Sequence, residues 1–133
     1  MSRLVRFATV GVAGFVVDSG ILWIAMHLLG LGPYGGRVVS FLAAATVTWW
    51  LNRLYTYSDR FQSGAAVRQW RNYVLASTLG AAANYLTYCA CIVLLPVAAR
   101  FPVIGVAAGS LASLIFNFTI YSRFVFRTTP AGT

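Results

Sequence analysis

Lysine and glutamate are absent from the 133 residues, and Asp18 and Asp59 are the only acids. With charged residues at 9% and hydrophobic ones at 59%, the chain cannot give a soluble domain of this size a charged surface. One histidine, His27, and two cysteines exclude a clustered metal site. Cys89 and Cys91 lie two apart in an apolar run, so on a helix they point about 200° away from each other and pair with nothing. No Gly-x4-Gly-Lys phosphate loop and no Ser/His/Asp set is present, which excludes an ATPase and a self-contained hydrolase. No cofactor is expected. All ten basic residues are arginines, and they flank apolar runs instead of covering one face, so the net charge of +8 does not indicate nucleic acid.

The chain is rich in apolar length. Mean hydropathy is +0.76. The run from Phe7 to Leu31, at ~1.5 Å per residue, is long enough to cross ~30 Å of hydrocarbon with some tilt. It is too long for a signal-peptide core and has no small-x-small cleavage pattern, so it is expected to be retained. A Gly/Pro cluster from Gly30 to Gly36, the Ser63-Gly64 pair, Pro96 and Pro102 punctuate the remainder of the chain. The pattern predicts an all-α membrane protein: one transmembrane four-helix domain over 1–133, with helices about 7–31, 37–57, 73–95 and 102–121.

Arginine placement predicts the orientation. Arg3, Arg6, Arg53, Arg60, Arg68, Arg71, Arg123 and Arg127 fall on one side of these spans, and Arg37 and Arg100 on the other. The positive-inside rule then places both termini and the middle loop in the cytoplasm.

The two hairpins resemble each other. Phe7, Gly14 and Asp18 recur as Tyr73, Gly80 and Asn84, and Ser40…Arg53 recurs as Ser110…Arg123. A parallel repeat would bring Asp18 and Asn84 to one depth near the midplane, with Arg53 and Arg123 near the cytoplasmic edge.

Asp18 lies about 16 Å into the first run, where a carboxylate costs on the order of 2.5–3.5 kcal/mol. It is either a structural hydrogen-bond partner of Asn84, a serine or a tyrosine, or it accepts from a sugar hydroxyl or exchanges protons. Arg53 and Arg123 are either snorkelling anchors or the walls of a lipid-phosphate pocket, with Asn52, Asn117, Arg6 and Arg71 completing it. Gly105, Gly109 and Ser113 form a small-residue ladder for close packing or for a dimer face. Trp49, Trp50 and Trp70 read as interfacial belt residues, and Trp23 with His27 as a pair able to stack on a sugar.

Arg6-Phe7 with Gly11 and Asp18, then Asn52-Arg53-x-Tyr-Thr-Tyr, then Asn117…Arg123-Phe124-Val125-Phe126 resemble the GtrA-like membrane protein family, from Arg3 to about Arg127. Tyr55 and Tyr57 stand where that family commonly has Phe or Trp. The resemblance implies a small bacterial inner-membrane protein, not an enzyme, that handles polyprenyl-phosphate-linked sugars. The expected function is flipping a polyprenyl-phosphate monosaccharide to the outer leaflet for cell-surface polysaccharide glycosylation. The alternative is an anchor that recruits a polyprenyl-phosphate glycosyltransferase. A small multidrug exporter also has four helices and an acid in the first, but a basic cytoplasmic mouth repels cationic drugs. Expected partners are the polyprenyl-phosphate-sugar, membrane phospholipid, the glycosyltransferase and, since four helices are few for enclosing a head group, a second copy in a homodimer.

Overall fold

The computed structural model describes residues 1–60, 64, 66–101 and 103–127. Its elements are α1 (Arg3–His27), α2 (Pro33–Leu51), a π-helical turn Asn52–Thr56, a 3-10 turn Ser58–Arg60, α3 (Ala66–Leu94), a short α4 (Pro96–Arg100), α5 (Val103–Ile120) and a second π-helical turn, Tyr121–Val125. Strands are absent among the described residues, so the fold is all-α with four main helices. Among the described residues, three stretches are long and apolar enough to cross a membrane: Arg3–His27, Ala66–Leu94 and Ile104–Val125.

The helix ends differ from the apolar runs, and local chemistry explains each difference. Helix α1 starts at Arg3, ahead of the predicted Phe7, because the Ser2 hydroxyl caps it by accepting from the Val5 N–H at 3.2 Å. It stops at His27 instead of Leu31, because Gly30 takes φ +68° and the Leu31 N–H bonds the Ala25 carbonyl at 2.9 Å. Helix α2 begins at Pro33 instead of Arg37, with Gly32 as its cap and proline in its first turn. Helix α3 begins at Ala66 instead of Tyr73, so polar first turns precede its apolar part. Leu95 is extended (φ −115°, ψ 112°) ahead of Pro96, which ends α3 and opens the unpredicted α4. The expected start at Pro102 and Ser63 of the middle loop lie outside the described residues.

The chain divides into two compact units, Met1–Val74 with Phe126 onward, and Leu75–Val125. In the first, α1 and α2 pack antiparallel. Gly14 lies against Thr48, and Gly36 lies against Leu22, Ala25 and Met26. In the second, α3 and α5 meet through Gly80 against Asn117, Gly109 against Asn84 and Gly105 against Tyr88. The α5 glycines are therefore used for packing inside this unit.

The equivalent contacts match across the hairpins, but with a one-residue change of register. Gly14 and Thr48 correspond to Gly80 and Asn117, and the buried Ser40 corresponds to the buried Gly109, while Ser110 is exposed. Arg53 is the second residue of its π turn and Arg123 the third of its own.

Glycine substitutions should separate by position. A Cβ on Gly109 would lie 2.7 Å from the Asn84 backbone carbonyl, which cannot swing away. Gly109→Ala is expected to cost about 1–3 kcal/mol by forcing two helices apart. Gly11 and Gly20 have nothing within 4 Å of that position, so alanine there should stabilise α1 by about 0.5–1 kcal/mol. Unfolding in mixed micelles by titration with dodecyl sulfate measures both signs.

Candidate functional site

Polar side chains gather at both ends of the first unit. At the arginine-rich end, the start of α1 meets the end of α2. Arg3 Nη2 donates to Asp59 Oδ2 at 2.6 Å, and Arg6 Nη1 donates to the Tyr55 carbonyl at 3.4 Å. Arg6 also lies over the Tyr55 ring, 5.5 Å from its centroid. Tyr57 stacks on Phe126 at 4.5 Å with 6° between planes, and both Arg3 and Arg60 lie over the Tyr57 ring.

Beneath this layer the π turn carries a sealed network. A π turn adds a residue to the helical turn and closes with an i→i−5 bond, here from the Tyr57 N–H to the Asn52 carbonyl at 2.8 Å. The Asn52 side chain, 1% exposed, donates through Nδ2 to Tyr73 Oη at 2.9 Å. Its Oδ1 accepts from Thr56 Oγ1 at 2.7 Å. Arg53, 5% exposed, donates through Nη1 to Gln69 Oε1 at 3.2 Å and lies over the Trp49 ring. Trp49 Nε1 donates to the same Gln69 oxygen at 3.0 Å. Trp49 is thus a buried wall of the Arg53 socket, not a belt residue. Its neighbour Trp50 is exposed, and Trp70 donates to Thr46 Oγ1.

The opposite end of the hairpin holds an ion pair. Arg37, five residues into α2, donates through Nη1 to Asp18 Oδ1 at 2.5 Å. The same nitrogen lies 3.3 Å from Ser40 Oγ, whose hydroxyl donates to the Arg37 carbonyl at 3.1 Å. Sequence spacing does not pair Arg37 with Asp18; by position alone Arg37 is one of two arginines on the minor side. The antiparallel register of α1 and α2, set by Gly14 against Thr48 and Gly36 against Met26, brings the pair within reach.

Arg71 and Arg123 are exposed. In the second unit Asn84 lies against Gly109, and Asn117 Oδ1 is buried against Gly80 with no hydrogen-bond partner among the described residues. Asn117 Nδ2 makes only a long contact, 3.5 Å, to Ser113 Oγ. Ser77 and Tyr121 share a short hydroxyl–hydroxyl hydrogen bond in the same unit. The one-residue shift between the hairpins rotates the equivalent arginines apart by about 100° on a helix, so Arg53 turns inward while Arg123 turns out. Trp23 and His27 stack at 4.9 Å on α1, with Trp23 exposed. Among the described residues no group of His, Cys, Asp or Glu could hold a metal ion.

Outside the spans, Asp59 titrates in a known direction. Its slight burial acts to raise the pKa, but the Arg3 hydrogen bond and charge, with a backbone hydrogen bond and Arg60, together hold the carboxyl below its usual value. Because the folded value is the lower one, the tie to Arg3 contributes above the ordinary carboxylate range near ~3.9 and is lost as pH falls through the lowered value. Wild type should therefore lose thermal stability between pH 6 and pH 3 relative to Asp59→Asn. The difference should be a few degrees at most in the unfolding midpoint, since the pair is solvent-exposed.

Apolar spans, sealed polar networks and an ion pair inside an apolar hairpin define a multi-pass membrane protein. The model of the GtrA/DPMS transmembrane domain matches residues 6–126, and the chain belongs to that family, which is linked to glycosylation with polyprenyl-linked sugars. No curated protein matches the chain.

Proposed function

We propose that the protein flips a polyprenyl-phosphate-linked monosaccharide across the bacterial inner membrane, with its arginine-rich end in the cytoplasm. The observation that carries this reading is the Asp18–Arg37 pair, two charges held together within an apolar hairpin. A charge in a span is costly, and such residues mark substrate pathways by default. A tether needs none. Of the candidate arginines, Arg6 and Arg71 in the first unit and Arg123 in the second are open enough to receive a lipid phosphate, and Arg53 braces its own π turn. Asp18 in the first unit, and Asn84 and Asn117 in the second, are the polar side chains offered to the sugar, while the prenyl tail stays in lipid. This keeps the head group hydrogen-bonded where each unsatisfied polar group costs several kcal/mol.

The test is a reconstituted vesicle assay with a labelled polyprenyl-phosphate sugar in one leaflet. Protein-dependent arrival of label in the other leaflet is expected, and its absence across lipid compositions would count against flipping. The sealed network around Asn52 and Arg53 favours a second reading, a rigid anchor that recruits a polyprenyl-phosphate glycosyltransferase. An anchor keeps its enzyme when Asp18 is replaced by Asn and when Arg123 is replaced by Ala, and surface glycosylation continues. Lost glycosylation with the enzyme still bound points to flipping.

A further inference from the structure

We propose that Arg37 is a second phosphate site, at the end of the hairpin opposite the arginine cluster, where the lipid phosphodiester docks before release. This rests on the flipping reading above. Carboxylates commonly engage arginine with both oxygens, but here a single nitrogen, Nη1, makes both the Asp18 and the Ser40 contacts. Among the described residues Nη2 and Nε make no hydrogen bond, and these two share the side-on edge of the guanidinium. The Arg37 side chain is 55% exposed against 23% for Asp18, so the arginine is the open member of the pair. Ser40 is fully buried and Asp18 sits on the neighbouring helix, so together they fix the fork instead of leaving it to swing. A planar donor pair, pre-oriented and open, matches two oxygens of a phosphodiester.

Charge gives the site its release. The empty pair is neutral, and an arriving phosphodiester monoanion leaves the cluster at −1. Asp18 thus keeps the phosphate from being held tightly, which a transport step requires. It is the internal competitor for its own arginine.

The test uses the full chain in detergent and farnesyl phosphoryl glucose carrying a photoreactive group beside the phosphate. Adducts in the first turns of α2 are quantified by peptide mapping. Arg37→Lys keeps a cation opposite Asp18 but loses the fork, so its thermal midpoint should stay within a few degrees of wild type. Adduct yield in α2 should fall at least tenfold. Asp18→Asn should raise the apparent affinity several-fold. Labelling of R37K at the wild-type level, or weaker binding by D18N, overturns the proposal. Competition by inorganic phosphate or by phosphatidylglycerol as effective as by the unlabelled farnesyl ester would also overturn it, since the site would then be a general anion or head-group contact. A vesicle assay with the same ester separates this site from the flipping reading. Flipping with Arg37-independent adducts sinks the site alone. Arg37-dependent adducts without flipping in wild type leave a lipid-phosphate site and sink the flipping reading.

Discussion

Arg37→Ala is expected to destabilise the first hairpin by up to about 2.5–3.5 kcal/mol, the ceiling for a lone charge inside a span. A solvent-exposed pair would be worth only ~0–1 kcal/mol, and the half-exposed Arg37 invites that smaller estimate. The position of Asp18 decides between them. It lies nine residues before the end of α1, about 14 Å along a helix apolar enough to span a bilayer, and its side chain is only 23% exposed. Truncating the arginine strands the carboxylate there. Replacing Asp18 by Asn in the R37A background should recover most of the loss, because the double variant has no charge left to strand. Unfolding by dodecyl sulfate in mixed micelles reads all three variants. A loss below ~0.5 kcal/mol in R37A, with no recovery in the double variant, would place Asp18 in water and remove the reason to treat the pair as a buried cost.

The legible part of this molecule was what lipid contact dictates. Apolar runs, Gly30 and Pro96 located the hairpins, and the arginines marked their ends. Helix starts were less legible, because hydropathy reports where a helix meets hydrocarbon, whereas a helix begins where its first N–H groups find partners. Ser2 provides one for α1, and α3 runs through Arg68 and Arg71 before its apolar stretch begins. Both π turns were hidden for a related reason: the extra residue leaves no compositional trace, yet it sets which way Arg53 and Arg123 point. The repeat read from sequence aligned those arginines with each other, but packing aligns Ser40 with Gly109 and shifts the arginines by one. The Asp18–Arg37 pair depended on the register between α1 and α2, set by Gly14 against Thr48 and Gly36 against Met26, which no single-helix pattern reveals.

The π turn at the arginine-rich end depends on a single side chain, so Asn52→Ala is expected to cost about 2–4 kcal/mol. Asn52 uses both ends of its amide, donating to Tyr73 and accepting from Thr56, and it is 1% exposed. Alanine removes both bonds where no water replaces them, at about 1–3 kcal/mol for each buried group left behind. Tyr73→Phe should cost less, since it deletes one bond and the hydroxyl with it. In the double variant the losses should fall short of additive by about 1 kcal/mol, as expected for two residues sharing one contact. The consequence reaches Arg53. Without Asn52 bonded on both sides, the wider turn can relax to an ordinary α-turn, rotating Arg53 away from Gln69 and Trp49. Quenching of Trp49 fluorescence by iodide, read with Trp23, Trp50 and Trp70 replaced by Phe, should therefore rise in N52A. If the protein carrying Trp49 alone shows the same quenching with and without Asn52, and N52A unfolds with the parent, the turn is held by its backbone alone.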